Sequence, residues 1–329
     1  QVSLPEGLLI ISSQAFENLN RIRSIVIPDS VTIIDSNSFY NCDSLESVII
    51  PDSVTTIGSS AFYNCYNLES VTIGNSVTSI GTKAFYNCDR IKNVYISDVE
   101  SWLKIEFTYS SGWDDMDYYE DCSNPLSNGA NLYINGELLT DLVIPEGVTT
   151  IKQYSFYNYD SLKSVTIPDS VTSIGMEAFF DCDSLESLTI GDGVISIGEK
   201  AFYDCEALES ITIPEGVTEI DDYAFAECNN ILDIKTGSKK AITASENVFS
   251  SDAYNNVCLH VPEGRKFAYE KTTPWSNFYI VEMDFTGIEN VKAESGKVQT
   301  IYDLTGRKLK GENGKLKGIY IIDGKKVYI

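Results

Sequence analysis

"LESVIIPDSVTTIGSSAFYNCYN", residues 45–67, is one copy of a phrase that recurs along the chain. Phe16, Phe39, Phe62 and Phe85 are spaced by 23 residues, and Phe156, Phe179, Phe202 and Phe225 are spaced by 23 again. Within the unit, alternation of apolar and polar side chains is the strand period, so Val48 and Ile50 face inward while Ser47 and Ile49 face outward. Proline then stops the strand. Seven of the nine prolines (Pro5, Pro28, Pro51, Pro145, Pro168, Pro214 and Pro262) hold this position, where a missing N–H matters least and a turn begins. A second apolar pair, Val54 and Ile57, precedes Gly58, and the following Ser-Ala-Phe-Tyr-Asn-Cys suits one helical or 3-10 turn. A single unit cannot bury its own apolar edge, so successive units must stack into a solenoid.

Stacking turns each repeat position into a column. The outward strand positions align Ser24, Ser47, Ser70 and Asn93, then Ser164, Ser187 and Ser210. The next column holds Val26, Ile49, Thr72, Tyr95, Thr166, Thr189 and Thr212. With strands about 4.8 Å apart, this makes a flat, mildly polar face. Such a face suits a large partner better than a small substrate, which needs a concave pocket. Thr72, Tyr95, Thr166, Thr189 and Thr212 are therefore candidate contact residues. A flanking column of Arg23, Glu46, Glu69, Lys92, Lys163, Glu186 and Glu209 reads as a solvated rim.

Composition narrows the classes of function. The 329 residues are 43% hydrophobic, enough for a large core, and carry a formal charge of -24. That charge argues against nucleic acid and against an anionic membrane surface. No apolar run reaches the roughly 18 to 20 residues that a membrane helix needs. Gln1 opens no basic-then-apolar leader, which fits either a cytosolic protein or a mature form after signal cleavage. A monomer is expected.

Six of the eight cysteines, Cys42, Cys65, Cys88, Cys182, Cys205 and Cys228, lie three residues after a repeat phenylalanine. Leu19 and Tyr159 stand at the same offset elsewhere, so the slot belongs to the core and reduced packing thiols are expected. Zinc-binding spacing is absent, and no metal or cofactor is called. The single histidine, His260, lies two residues after Cys258 on a strand-like segment and reads as structural. No nucleotide, hydrolase or calcium motif is present, and catalytic residues are called as none.

Between Phe85 and Phe156 lie 71 residues, three periods plus two, so the array continues in approximate step through an irregular insertion at 97–138. Trp102, Leu103 and Ile105 suit a plug for the interrupted core. Asn135-Gly136 signals a tight hairpin. The loop between them gathers Trp113, Asp114, Asp115, Asp117, Tyr118 and Tyr119 among other acids and aromatics. Exposed aromatics anchor partners, which makes Trp113, Tyr118 and Tyr119 candidate binding residues.

The phrase LxxVxIPxxVxxIGxxAFxxCxx, carried by residues 1–235, resembles the BspA-type, or Treponema-type, leucine-rich repeat. That resemblance implies a β-rich α/β solenoid with a parallel concave sheet and short helical or 3-10 turns. It also implies a surface adhesin or binding protein and no enzyme. Residues 236–285 then resemble the segment that closes such arrays. Residues 286–329 carry nine Lys or Arg against five Asp or Glu, a net +4 beside the -28 of residues 1–285. "YDLTGRKL" (302–309) and "KGIYIIDGKKV" (317–327) in that small β module resemble the C-terminal sorting domains of Bacteroidetes. The resemblance implies an outer-membrane surface or extracellular location in a Gram-negative bacterium. The triplets Asp-Ser-Val at 29, 52 and 169 and Asp-Ser-Leu at 43, 160 and 183 resemble a bacterial O-glycosylation sequon and also suit the repeat turn.

The expectation is a non-enzymatic binding or adhesion protein for a protein or glycan ligand. Two alternatives from other classes remain: a carbohydrate-active enzyme using acids of residues 107–121, and a structural spacer.

Overall fold

The computed structural model describes residues 2–108 and 123–283, together with the backbone of four short strands beyond them, Ile301–Tyr302, Lys308–Leu309, Ile319–Ile322 and Lys325–Tyr328. Each coil contributes its "SVTI" segment to an outer sheet. Val2–Ser3, Ser24–Val26, Ser47–Ile49, Ser70–Thr72 and Asn93–Ile96 pair in parallel, with Ser24, Ser47, Ser70 and Asn93 in register. The same coils contribute a second row of two-residue strands, Ile10–Ile11, Ile33–Ile34, Thr56–Ile57, Ser79–Ile80 and Glu106–Phe107, also parallel. The second member of that apolar pair, Ile57 in the copy quoted, joins the residue before it in a short strand, and this row forms a sheet of its own that sequence periodicity did not show. The 23-residue parallel solenoid is as expected.

The segment after Gly58 is not a helical or 3-10 turn. Ser60 and Asn64 sit in the left-handed region, with φ of 53° and 59°. Alternate N–H groups leave their own coil: Ser60 donates to the Thr82 carbonyl at 2.9 Å, Phe62 to Ala84 at 2.8 Å and Asn64 to Tyr86 at 2.9 Å. A helix would return those donors to its own preceding turn. Here they build a third row of inter-coil bonds, which offsets the roughly 1 kcal/mol that a left-handed residue with a side chain costs. Helices are confined to Val99–Leu103, Ser251–Asn256 and Lys266–Glu270, with a 3-10 turn at Trp275–Asn277, among the described residues. The recurrent glycine has a steric cause. A Cβ on Gly81 would lie 2.4 Å from the Ser59 nitrogen of the preceding coil.

The core is a set of stacked columns. Phe16, Phe39, Phe62 and Phe85 stack with ring centroids 5.0–5.2 Å apart, and the column resumes through Phe156, Phe179, Phe202 and Phe225 to Phe249. Phe62, Phe179 and Phe202 are completely buried, a payload of about 2–3 kcal/mol each. The six repeat cysteines are buried free thiols. Each lies behind the phenylalanine column, the Cys65 thiol donating to the Phe39 carbonyl at 3.3 Å and Cys88 to Phe62 at 3.1 Å. Burial pushes the Cys42 thiol up to about 12 and raises Cys182 and Cys205 as well.

Asn18, Asn41, Asn64 and Asn87 form an amide ladder in which Asn41, Asn64 and Asn87 each donate through Nδ2 to the asparagine Oδ1 of the coil before, at 2.8–2.9 Å. The equivalent left-handed positions in the second half hold Asn158, Asp181, Asp204 and Glu227.

The insertion interrupts both sheets but not the core. Asn131–Ile134 pairs in parallel with Asn93–Ile96, then turns through Asn135-Gly136, with φ of 51° and 86°, into the antiparallel strand Glu137–Leu138. New sheets begin at Asp141–Val143 and Thr150–Ile151. Trp102, Leu103 and Ile105 are buried, and the Trp102 indole N–H reaches across to the Ser155 carbonyl at 2.8 Å. The Tyr159 hydroxyl donates to the Leu139 carbonyl at 2.5 Å and lies 3.3 Å from that of Leu132. Asp98 caps the short helix by accepting from the Ser101 N–H at 2.7 Å. Trp102 and its neighbours are the plug that the sequence predicts.

The second half continues through outer strands Asp141–Val143, Ser164–Ile167, Ser187–Ile190, Ser210–Ile213, Asp233–Thr236, Cys258–Pro262 and Tyr279–Met283. Buried Tyr269 and Trp275 close the core. The Tyr269 hydroxyl lies 2.9 Å from the Ser238 and Lys240 carbonyls, and the Trp275 indole donates to Ile242 at 2.7 Å. The four C-terminal strands form a separate antiparallel sheet in the order Lys308–Leu309, Ile301–Tyr302, Ile319–Ile322, Lys325–Tyr328. No helix among the described residues is long and apolar enough to cross a membrane.

Candidate binding face of the solenoid

The outer sheets present the predicted columns in register, but in separate groups. Val26 pairs with Ile49, Ile49 with Thr72 and Thr72 with Tyr95, all on the first sheet. Thr166 pairs with Thr189 on a second, three-stranded sheet. Thr212 opens a third, next to Lys235. Thr166, Thr189 and Thr212 are exposed, whereas Thr72 and Tyr95 are half-buried and line a groove. Trp113, Tyr118 and Tyr119, and the acids Asp114, Asp115 and Asp117, lie outside the described residues.

The first sheet is the less polar one. Val26 is 45% exposed and Ile49 65% exposed, an aliphatic pair held open to solvent on one strand row. Tyr95 stacks on Tyr133 at 5.2 Å between ring centroids, with planes 28° apart. Sequence reading missed Tyr133, although its place two residues before Asn135-Gly136 put it on the outward face of a hairpin strand. The ring faces of this pair are turned toward each other.

Along the ends of these strands runs an open groove of about 540 Å³. Its apolar wall is Val26, Ile49, Thr72 and Tyr95, and its floor includes Ile50, Pro51 and Ile73. The opposite rim carries Asp29 and Asp52, and the hairpin tip Asn135-Gly136 closes one end. The rim is tied together by hydrogen bonds. Asp52 Oδ1 accepts from the Asn75 N–H at 2.9 Å, the Ser97 hydroxyl bonds Asn75 Oδ1, and Asn135 Nδ2 donates to the Ser97 carbonyl at 3.0 Å.

A second polar group lies at the far end of the outer face. His260 Nε2 is 3.1 Å from Asp233 Oδ1, and Lys235 Nζ is 2.5 Å from Asp233 Oδ2. Burial opposes ionisation of Asp233, but the neighbouring His260 and Lys235 outweigh it and hold the carboxyl below its ordinary range. His260 is 8% exposed, and its Nδ1 has no hydrogen-bond partner among the described residues. The arrangement fits a structural ion cluster, and no group of three or more metal-capable side chains exists among the described residues.

The Asp-Ser triplets are tied into the turns. The Ser30 hydroxyl donates to the Leu8 carbonyl at 2.8 Å, Ser53 to Val31 at 2.6 Å and Ser44 to Asn20 at 2.7 Å. The charged column behaves as a rim, with Arg23 3.2 Å from Glu46 and both largely solvated.

A leucine-rich repeat protein from Bacteroides ovatus is 21% identical, with 86% of this chain and 83% of that chain covered and a TM-score of 0.43. The pneumococcal vaccine antigen PcpA is 17% identical over 86% of this chain and 88% of its own, with a TM-score of 0.47. A leucine rich cell surface protein from Faecalibacterium prausnitzii is 23% identical over 87% of each chain, with a TM-score of 0.33. No curated protein matches the chain. The family model described as the BspA type leucine rich repeat region matches residues 1–112 and 129–256 in 6 copies. With the in-register coils and the phenylalanine and cysteine columns, that match makes this chain a member of the BspA-type leucine-rich repeat family.

Proposed function

We propose that this chain is a non-enzymatic, cell-surface or secreted binding protein that recognises a protein partner through the outer face of its first sheet. One observation carries the reading: the open aliphatic pair Val26 and Ile49 beside the Tyr95–Tyr133 stack, on a face whose other columns are Ser, Thr and Asn. Solvent-facing apolar groups gathered in one place mark interaction surfaces. Aromatic and aliphatic anchors also supply most of the binding energy in protein interfaces. A glycan fits less well, because the Tyr95–Tyr133 stack already occupies one face of each ring.

The resemblance of residues 286–329 to sorting domains supports a surface location, with that segment as an export and attachment signal and 236–285 as the closing segment of the array. Removal of 286–329 should then leave the protein inside the producing cell. The binding reading is tested by probing the purified chain against arrays of extracellular-matrix proteins and glycans. Saturable capture of a protein, lost at least tenfold in Ile49→Asp and kept in Thr166→Asp, supports it. Capture that ignores both changes refutes it.

A further inference from the structure

Resting on that reading, we propose that the groove beside Val26, Ile49 and Tyr95 takes a polyproline II segment with a basic residue at the end that lies beside Asp29 and Asp52.

Three observations point there. The first is hydrogen bonding. The strands along the groove spend their N–H and carbonyl groups on their neighbours, as when Ile50 donates to Thr72 and Ile73 to Tyr95, both at 2.9 Å. A β-strand ligand needs backbone partners, whereas a polyproline II segment has no internal backbone bonds and needs none from its receptor.

The second is pitch. The groove runs across the coils, whose spacing is about 4.8 Å, so two coils span about 9.6 Å. One polyproline II turn of three residues rises about 9.3 Å, placing every third side chain against every second coil. An extended strand repeats its facing side chains every 6.6–6.8 Å or so, out of step with the coils. From Val26 to the hairpin at Asn135 are four coil steps, roughly 19 Å, which is two polyproline II turns or about six residues.

The third is charge. Asp29 and Asp52 stand one repeat apart on the rim, and no lysine or arginine lines the groove. The residues that precede the C-terminal module carry a net charge of -28, so the surrounding field adds to the attraction. The hairpin tip closes one end of this groove, and among the described residues no coil of the second half carries such a tip beside its outer sheet.

The test is fluorescence anisotropy on the full chain with three labelled heptapeptides: Lys-Pro-Pro-Ile-Pro-Pro-Lys, its counterpart with Glu for Lys, and one with Gly and Ser for Pro. The lysine and proline peptide should bind at least tenfold more tightly than either other. Its affinity should fall at least tenfold in Ile49→Asp and several-fold between 50 and 500 mM salt, as expected for paired charges (about 10 Å screening length at 0.1 M). Thr166→Asp should leave binding unchanged. Val26→Asp, with its melting curve, serves as the second variant if Ile49→Asp does not fold. Equal binding of all three peptides, absence of binding, or indifference to both groove variants overturns the proposal. So does binding of cellohexaose that Ile49→Asp abolishes, which would give the groove to a glycan. Loss of array capture in Ile49→Asp without binding of any heptapeptide would overturn this proposal alone and leave the protein-binding reading standing.

Discussion

The change Asp181→Asn should stabilise the protein near neutral pH and do nothing in acid. In the first half, asparagines at the left-handed corner pass a hydrogen bond from coil to coil at 2.8–2.9 Å. In the second half the same corner holds Asp181 and Asp204, which cannot donate when ionised. Burial, then the charges of Asp183, Asp204 and Asp160, push the Asp181 carboxyl up to about 6 from its ordinary 3.8. The sign follows from linkage. The folded chain holds this proton more tightly than the unfolded chain, so the favourable contribution is complete below about pH 4. It is lost as pH rises through about 6. Taken at face value the shift is worth about 3 kcal/mol. Asp181 keeps a large solvent-facing part, and screening reduces the expected penalty at pH 7 to about 1 kcal/mol.

Asparagine tolerates the same backbone conformation, carries no charge and can rejoin the ladder. Thermal melts followed by circular dichroism should therefore show Asp181→Asn about 2 °C more stable than the parent at pH 7. The two should coincide at pH 4, and 1 M salt should shrink the gap. An equal shift at both pH values would show that the charge plays no part at this corner, and a destabilised variant at pH 7 would refute both the charge and the ladder argument.

Three further outcomes are expected. Trp102→Phe loses the 2.8 Å bond to Ser155 and should cost about 1–2 kcal/mol, and Trp102→Ala about 3–5 kcal/mol, both read by denaturant titration. Lys200→Met strands Glu177, which is 3.6 Å away and whose carboxyl burial already raises; it should cost about 3 kcal/mol, and adding Glu177→Gln should recover much of that in a double-mutant cycle. The six repeat cysteines are all buried and should stay silent toward a thiol reagent at pH 8 and react together on unfolding; burial pushes Cys42 up to about 12 and raises Cys182 and Cys205, and hydrogen bonding with Cys88 followed by burial raises Cys65.

Much of the array was legible because its period is long and its core residues are large. Phe62 and Cys65 recur at one spacing, and their neighbours at 23 residues distance had to become neighbours in space. The cysteine slot reads as core because Leu19 and Tyr159 also occupy it; Tyr159 is indeed buried, whereas Leu19, in the first coil, is 41% exposed. The second strand row escaped notice because two residues, such as Thr56–Ile57, are too short to show a period. The left-handed corners escaped for a different reason. Glu177 and Lys200 carry side chains that disfavour positive φ, and inter-coil bonds from their N–H groups to the Glu199 and Asp222 carbonyls, both at 2.9 Å and invisible before stacking is known, offset that preference. On the candidate face, neighbouring coils align the predicted columns in register but divide them among three sheets, and sequence alone could not tell that a hairpin would set Thr72 and Tyr95 beside a groove. The aromatic residues Trp113, Tyr118 and Tyr119 lie outside the described residues.

The in-register join between coils also bears on how such a chain can change over generations. Since every coil meets its neighbour through the same contacts, excising or duplicating one whole unit within 24–92 brings equivalent side chains face to face and leaves no mismatched seam. Array length can therefore drift freely by unequal recombination, while the hairpin and plug, which occur once, fix where any specialised surface can be kept.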